Sequence, residues 1–209
     1  MTHDVRLEAT GLSHRYGTRR THIQSLDFAF RGPAAVAVTG PNGSGKSTLL
    51  RIIAGLLRPT AGTVLVHHAG RDLKPAGRRL ACGLATPELS FYEEFTAREN
   101  LRFAGEAHRL ADPAAAAAAA LDEVGLGARA DDRVAAYSSG MKQRLRLAFA
   151  VLHDPPVLLL DEPGSHLDEH GRGVVRQVVE RHAARGLVFL ATNDPLETAL
   201  ATHRVALDA

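Results

Sequence analysis

The sequence predicts an α/β fold: a core built on a mainly parallel sheet, an antiparallel strand layer at the N-terminal side, and a helical insertion. Three observations carry this prediction. First, the runs AAVAVT (Ala34–Thr39), VLLLD (Val157–Asp161) and LVFLAT (187–192) are short and apolar with little or no polar face. That pattern belongs to strands covered on both sides, as in a parallel sheet. Second, residues 23–30 alternate Leu26, Phe28 and Phe30 with Asp27 and Ala29, the period of a half-buried strand, and residues 5–9 read as its neighbour. Third, residues from about 96 to 152 read as helical throughout.

Taken in order, AAVAVT feeds a glycine-rich turn and then an apolar helix, STLLRIIAGLL (47–57). A strand at 63–66 follows a Pro–Thr–Ala–Gly turn, and no element is assigned between it and the helical region. Asp112–Pro113 marks a helix start, with Asp as cap and Pro in the first turn. The seven alanines that follow, 114–120, have the highest helix propensity and read as a surface helix. After Pro155–Pro156 the alternation resumes: strand 157–161, helix 171–184, strand 187–192, a short helix capped by Asp194–Pro195, and an edge strand at 204–207.

At 209 residues the chain suits one domain, 1–209, with a helical subdomain at about 90–152 inserted in the α/β core. Net charge is only +2, so a pI near 9.0 points only weakly to an anionic partner, and no specific nucleic-acid partner is expected. Cys82 is the single cysteine, so no internal disulfide is possible, which suits a reducing cytosol. The opening MTHDVRLEAT has no apolar signal core, and no run reaches the ~18–20 apolar residues needed to cross a bilayer. Service at a membrane would therefore go through a partner.

Two motifs carry chemistry. GPNGSGKST, residues 40–48, fits G-x-x-x-x-G-K-[ST] between a buried strand and a helix. In this candidate nucleotide-binding loop, Pro41 to Thr48, Gly40, Gly43 and Gly45 let the successive backbone N–H groups that follow Pro41 turn toward one anion. The helix N-terminus adds partial positive charge. Lys46 would reach the β- and γ-phosphates, and the Ser47 hydroxyl would ligate Mg²⁺. The second motif is Asp161–Glu162, at the C-terminal end of a buried strand, where ligands collect in parallel sheets. Asp161 would hold the Mg²⁺ shell and Glu162 would act as general base toward water. Alone, such a pair reads as a helix cap or solvated turn.

With YSSGMKQR (137–144) and SHLD (165–168) added in this order, the chain resembles an ATP-binding-cassette (ABC) transporter ATPase subunit along essentially its whole length. The resemblance implies a RecA-like phosphate-loop NTPase core that binds and hydrolyses MgATP. It also implies a head-to-tail dimer with a second copy or a paralogue. Ser138, Ser139 and Gly140 of one chain would cap the γ-phosphate held by the other, although the family usually has glycine at 139. Read alone, the same stretch is a plain helix N-cap with Lys142, Arg144 and Arg146 on a solvated face. Tyr16 resembles the aromatic on which the family stacks adenine, and Asp168 the loop aspartate that links the two sites. Asn193 stands where a histidine usually contacts the γ-phosphate, and Pro87 where a glutamine touches Mg²⁺ and water. Glu88, next to Pro87, could coordinate through water. Hydrolysis is therefore expected to be slow or partner-dependent.

The resemblance further implies a separate transmembrane subunit docked in a groove lined by 87–100, at the cytoplasmic face of the inner membrane. Length and a few loop residues look similar to the haem exporter ATPase of cytochrome c maturation. A non-transport ABC ATPase, or an ATP-gated dimerisation switch with weak hydrolysis, is the alternative. His67 and His68 are adjacent on a strand and point to opposite faces, and with His166 they read as solvated residues, not a metal site.

Overall fold

A computed structural model describes residues 3–17 and 20–207. Five strands form one parallel sheet in the order β6-β7-β8-β3-β9: Cys82–Ala85, Val157–Asp161, Leu187–Ala191, Ala34–Thr39 and His203–Ala206. Every residue of β3, β7 and β8 is buried, as the absence of a polar face predicts. Successive side chains serve opposite cores. Ala35, Leu158, Leu160, Val188 and Leu190 face the helices α5 (Ser139–Val151) and α6 (Glu169–Ala183). Val36, Val38, Leu159, Leu187 and Phe189 face α1 (Lys46–Ile53) and a second sheet.

That second sheet is antiparallel, in the order β2-β1-β4-β5, from Arg20–Arg31, Val5–Tyr16, Ala61–His68 and Arg71–Asp72. It docks on the first through aromatic contacts. The rings of Phe28 and Phe30 lie 6.2 and 6.0 Å from Phe189. His67 Nδ1 bonds Asp72 and His68 Nδ1 bonds the Asp4 carbonyl, so the two histidines are engaged on different neighbours.

The parallel order decides where chemistry can occur. Strand β8 lies between β3 and β7, so the loops leaving all three emerge side by side at their C-terminal ends. Hydrogen bonds cross there: Glu162 N–H donates to the Ala191 carbonyl at 2.8 Å, and Thr192 N–H to the Val38 carbonyl at 3.1 Å.

The insertion holds α3 (Ala97–Ala107), α4 (Pro113–Glu123) and α5, with two short 3₁₀ turns between α4 and α5. Thr96 and Glu99 form a reciprocal capping box at the start of α3, and Asp112 caps α4 as expected. The alanine tract departs from the surface reading. Ala117 and Ala120 are buried with Leu121 and Val124, because small side chains let α4 approach α3 and α5 closely.

Strand β5, helix α2 (Pro75–Ala81) and strand β6 fill the stretch left unassigned by the sequence. Arg78 is buried in α2 and donates to the carbonyls of Ile52 and Val64, tying α2 to α1 and β4. Cys82 begins β6, and burial pushes its thiol pKa up to about 12, which leaves it unreactive.

His108 and His153 stack at the far side of α5, rings 4.3 Å apart. Burial first, and His108 second, hold the His153 pKa down at about 4 against an ordinary 6.5. The folded protein keeps His153 neutral where the unfolded chain would protonate it. Stability is therefore expected to fall as pH drops from about 6.5 toward 4. Thermal melts across that window should show this slope, and His153→Gln should flatten it.

Candidate functional site

The phosphate loop follows β3 and ends in α1. Gly45, at the helix N-cap, has φ +102°, and no side chain caps the helix or adds negative charge in its first turn. The first N–H groups of α1 are thus left for an anion. Gly40 is required for a different reason: a Cβ there would stand 2.4 Å from the Leu207 carbonyl oxygen and 2.7 Å from Ser44 Oγ. Pro41, Asn42 and Gly43 form the exposed crest, while Ser44, Gly45, Lys46 and Thr48 are buried. Lys46 folds back so that Nζ donates to the carbonyls of Gly40 at 2.8 Å and Pro41 at 3.3 Å. The Ser44 hydroxyl is buried and makes no hydrogen bond within the protein. A buried polar atom of this kind calls for a partner.

Asp161, at the end of β7, is only 4% exposed. Burial raises its pKa, opposed by a hydrogen bond from the Ser47 hydroxyl and reinforced by Glu162 and Glu88. The structure so brings together the two residues assigned from sequence to a metal, and both offer oxygen, the donor that Mg²⁺ prefers. Glu162 is exposed, sits at φ +46°, and accepts from Ser165 Oγ at 3.3 Å. Asn193, also exposed, donates from Nδ2 to Asn42 Oδ1 at 3.3 Å. It therefore stands at the crest of the phosphate loop. Tyr16 is 45% exposed, with its hydroxyl 3.5 Å from Thr48 Oγ1 and its ring edge-on to His14. Pro87 is exposed, and the Glu88 carboxylate accepts from Arg51 of α1 at 2.7 Å; against the opposing effect of partial burial, a hydrogen bond to its own backbone and then Arg51 hold its pKa below the ordinary range.

The start of α5 has other neighbours. Ser138 is the N-cap and accepts from Met141 N–H at 3.2 Å; Ser139 opens the helix. A Cβ on Gly140 would lie 3.5 Å from the His166 carbonyl and 3.6 Å from Leu167, which places this turn beside the 165–168 loop. Asp168 caps α6 through Gly171 N–H at 2.7 Å. The basic residues of α5 do not form the solvated face that one reading expected. Lys142 pairs with Glu93, Arg144 donates to the carbonyls of Val124 and Gly125, and Arg146 donates to that of Leu89.

A family model described as ABC transporter matches residues 23–165, more than half of the chain. The chain belongs to the ABC transporter family. Among curated ABC relatives it is 31% identical over 195 residues to the linearmycin resistance ATP-binding protein of Bacillus subtilis (strain 168), covering 91% of this chain and 62% of the relative. It is 34% identical over 197 residues to the Nod factor export ATP-binding protein I of Rhizobium leguminosarum bv. viciae, covering 93% and 63%. The chain thus spans somewhat under two thirds of the length of both. Its fold matches a dimeric ATP-binding cassette in a post-hydrolysis state bound to ADP and Pi, with TM-score 0.84, 22% identity and coverage of 96% and 94%.

Three residues around the site of this ABC chain escaped the sequence reading. Gln143 is buried and donates to the carbonyls of Glu162 and Pro163. Its signal was legible: it falls on the apolar face of α5, at i with Leu147 at i+4 and Ala150 at i+7. Glu197, in the short helix α7 (Pro195–Thr198), accepts from the buried Gly164 N–H at 2.7 Å, and burial raises its pKa. An acidic residue in a first helical turn is ordinary, so nothing in the sequence marked it. Arg51, in α1, was given no role from the sequence and bonds Glu88.

Proposed function

We propose that residues 1–209 act as one nucleotide-binding cassette that hydrolyses ATP and drives the separate membrane subunit of an exporter. The observation that carries this reading is the convergence at one sheet edge of the phosphate loop, the Ser47–Asp161 pair, Glu162 and Asn193. Lys46 and the backbone N–H groups of residues 42–48 hold the phosphates, and the Ser44 hydroxyl gains the partner it lacks within the protein. Tyr16 stacks the adenine. Ser47 and Asp161 hold Mg²⁺, which when bound would offset the charge of the phosphate oxygens. Glu162 takes a proton from the attacking water, and Asn193 donates to a γ-phosphate oxygen.

Completion of the site requires a second copy or a paralogue, packed head to tail. Its Ser138, Ser139 and Gly140 cap the nucleotide, and Asp168 carries contact between the two sites. The dimeric state of the structural neighbour supports this arrangement.

Among the described residues no helix is long and apolar enough to cross a membrane. Docking at the cytoplasmic face of the inner membrane falls to the surface after β6. Tyr92, Phe95 and Phe103 are 58%, 51% and 61% exposed, and the Tyr92 ring packs against each of the other two. In the same segment after β6, Glu88 and Leu89 line a cavity of about 460 Å³ together with Phe149 and His153. An exposed aromatic cluster of this kind marks an interaction site. The two curated relatives named above are a resistance protein and a Nod factor export protein, which favours an exporter; the haem-export subgroup keeps only its sequence resemblance.

Phosphate release by the purified protein with MgATP, alone and with its membrane subunit, tests the proposal. No release in either state, together with no nucleotide binding, overturns it. A second reading, a dimerisation switch with weak hydrolysis, is favoured by Pro87 and Asn193, neither of which can carry charge. Asn193→His is accordingly expected to raise kcat at neutral pH roughly tenfold, by adding a charge-assisted hydrogen bond at the phosphate. Unchanged steady-state turnover would remove Asn193 from the reaction.

A further inference from the structure

An unbroken run of hydrogen bonds crosses the molecule from the segment after β6 to the end of β7. Glu88 is anchored to Arg51 of α1. The next carbonyl, that of Leu89, accepts from Arg146 Nε at 2.8 Å. Arg146 Nη1 donates to Gln143 Oε1 at 2.9 Å, one helical turn earlier on α5. Gln143 Nε2 then donates to the carbonyls of Pro163 at 3.0 Å and Glu162 at 3.3 Å.

We infer that Arg146 and Gln143 are a positioning pair that fixes the Glu162 peptide and transmits displacement of the 87–89 segment to it. The inference rests on the reading of Glu162 as the base for ATP hydrolysis.

Chemistry and burial favour this role over a packing one. Gln143 is only 4% exposed, and its two amide ends point different ways, the donor to Glu162 and Pro163, the acceptor to Arg146. Its orientation is therefore set by Arg146, since an amide without that donor could turn over. Arg146 commits two separate guanidinium nitrogens to two separate segments of the chain. A planar fork is stiff, so movement at one acceptor is felt at the other. Removing the guanidinium would leave the Leu89 carbonyl and Gln143 Oε1 without their charged donor. Pro87 can supply no such link from its own side chain. The link starts, moreover, three residues before the exposed Tyr92.

The test compares Arg146→Ala, Arg146→Met, Gln143→Ala and the double variant Arg146→Ala/Gln143→Ala with wild type, using MgATP. Arg146→Met keeps much of the aliphatic stem and loses only the donors. Arg144→Ala, on the same helix but bonded within the insertion, serves as control. The expected result is a kcat roughly tenfold lower in both Arg146 variants, with KM within about twofold, and wild-type values in the control. The double variant should be no slower than the slower single variant, because the two residues act in series. Wild-type kcat in a folded Arg146→Met protein overturns the inference, as does a raised KM at unchanged kcat, or losses that multiply. Failure of both Arg146 variants to fold also overturns it, by making the role structural. A wild type that releases phosphate no faster than Glu162→Gln removes the hydrolysis reading itself; a clear difference there, with Arg146→Met at the wild-type rate, removes this inference alone.

Discussion

Glu162→Gln is expected to slow ATP hydrolysis about 10²- to 10⁴-fold, the contribution of a well-placed general base. Affinity for MgATP should stay within about threefold, because the substitution keeps the shape of the side chain and removes only its basicity. The backbone supports so narrow an effect. Glu162 adopts φ +46°, with its N–H held by the Ala191 carbonyl at 2.8 Å. This left-handed turn lifts the side chain out of the buried strand into solvent beside the phosphate loop. Glutamine can occupy the same turn and still accept from Ser165 Oγ. With hydrolysis blocked and phosphates retained, MgATP should hold two copies together, visible as a dimer on a sizing column and absent without nucleotide. A variant that hydrolyses at the wild-type rate would place the base elsewhere. One that loses hydrolysis yet stays monomeric would leave the base in place and remove the proposed capping by Ser138, Ser139 and Gly140 of a second chain.

Gly83→Ala is expected to destabilise the protein by about 3 kcal/mol or more, the upper range for forcing volume into a packed core. Gly83 lies in β6, where a Cβ would stand 1.9 Å from the Ala150 carbonyl oxygen and 2.8 Å from Pro155 Cγ. Both neighbours belong to rigid parts of the fold, the last turn of α5 and the turn into β7, so neither gives way without moving the insertion against the sheet. At roughly 2–4 °C per kcal/mol for a chain of this size, the thermal midpoint should drop by about 6–12 °C. Gly173→Ala is the comparison. Position 173 lies within α6 with nothing within 4 Å of the added methyl, and alanine there should add about 0.5–1 kcal/mol. Equal midpoints for the two variants would mean that α5 does not press on β6 as described.

The sheet was legible because burial leaves a simple mark. AAVAVT, VLLLD and LVFLAT have almost no polar positions, and they became β3, β7 and β8 at the centre of the parallel sheet. The phosphate loop and Asp161–Glu162 stood out as candidates because the proposed chemistry demands fixed residue types next to such strands. Strand β6 was not legible: at four residues with a glycine, CGLA lacks both length and β-branched content, and only its pairing with β7 makes it a strand. Helix α4 was recognised as a helix from its cap, but burial of Ala117 and Ala120 depends on the partners it meets, which alanine periodicity cannot reveal. Arg146 is the clearest case on the functional side. A lone arginine at intermediate depth looks solvated until the carbonyl of Leu89, 57 residues away, is seen to receive it.

One amide plane near the centre of the molecule has a mechanical meaning. The group between Ala191 and Thr192 offers its oxygen to Glu162 and its hydrogen to Val38, one residue before the strand feeds the phosphate loop. Resonance keeps that plane stiff, so it works like the beam of a balance with the acid on one pan and the anion cradle on the other. Tilting it shifts both pans in a single movement. Local opening at the tip of β8 would therefore disturb the Glu162 turn and the strand leading into the phosphate loop together.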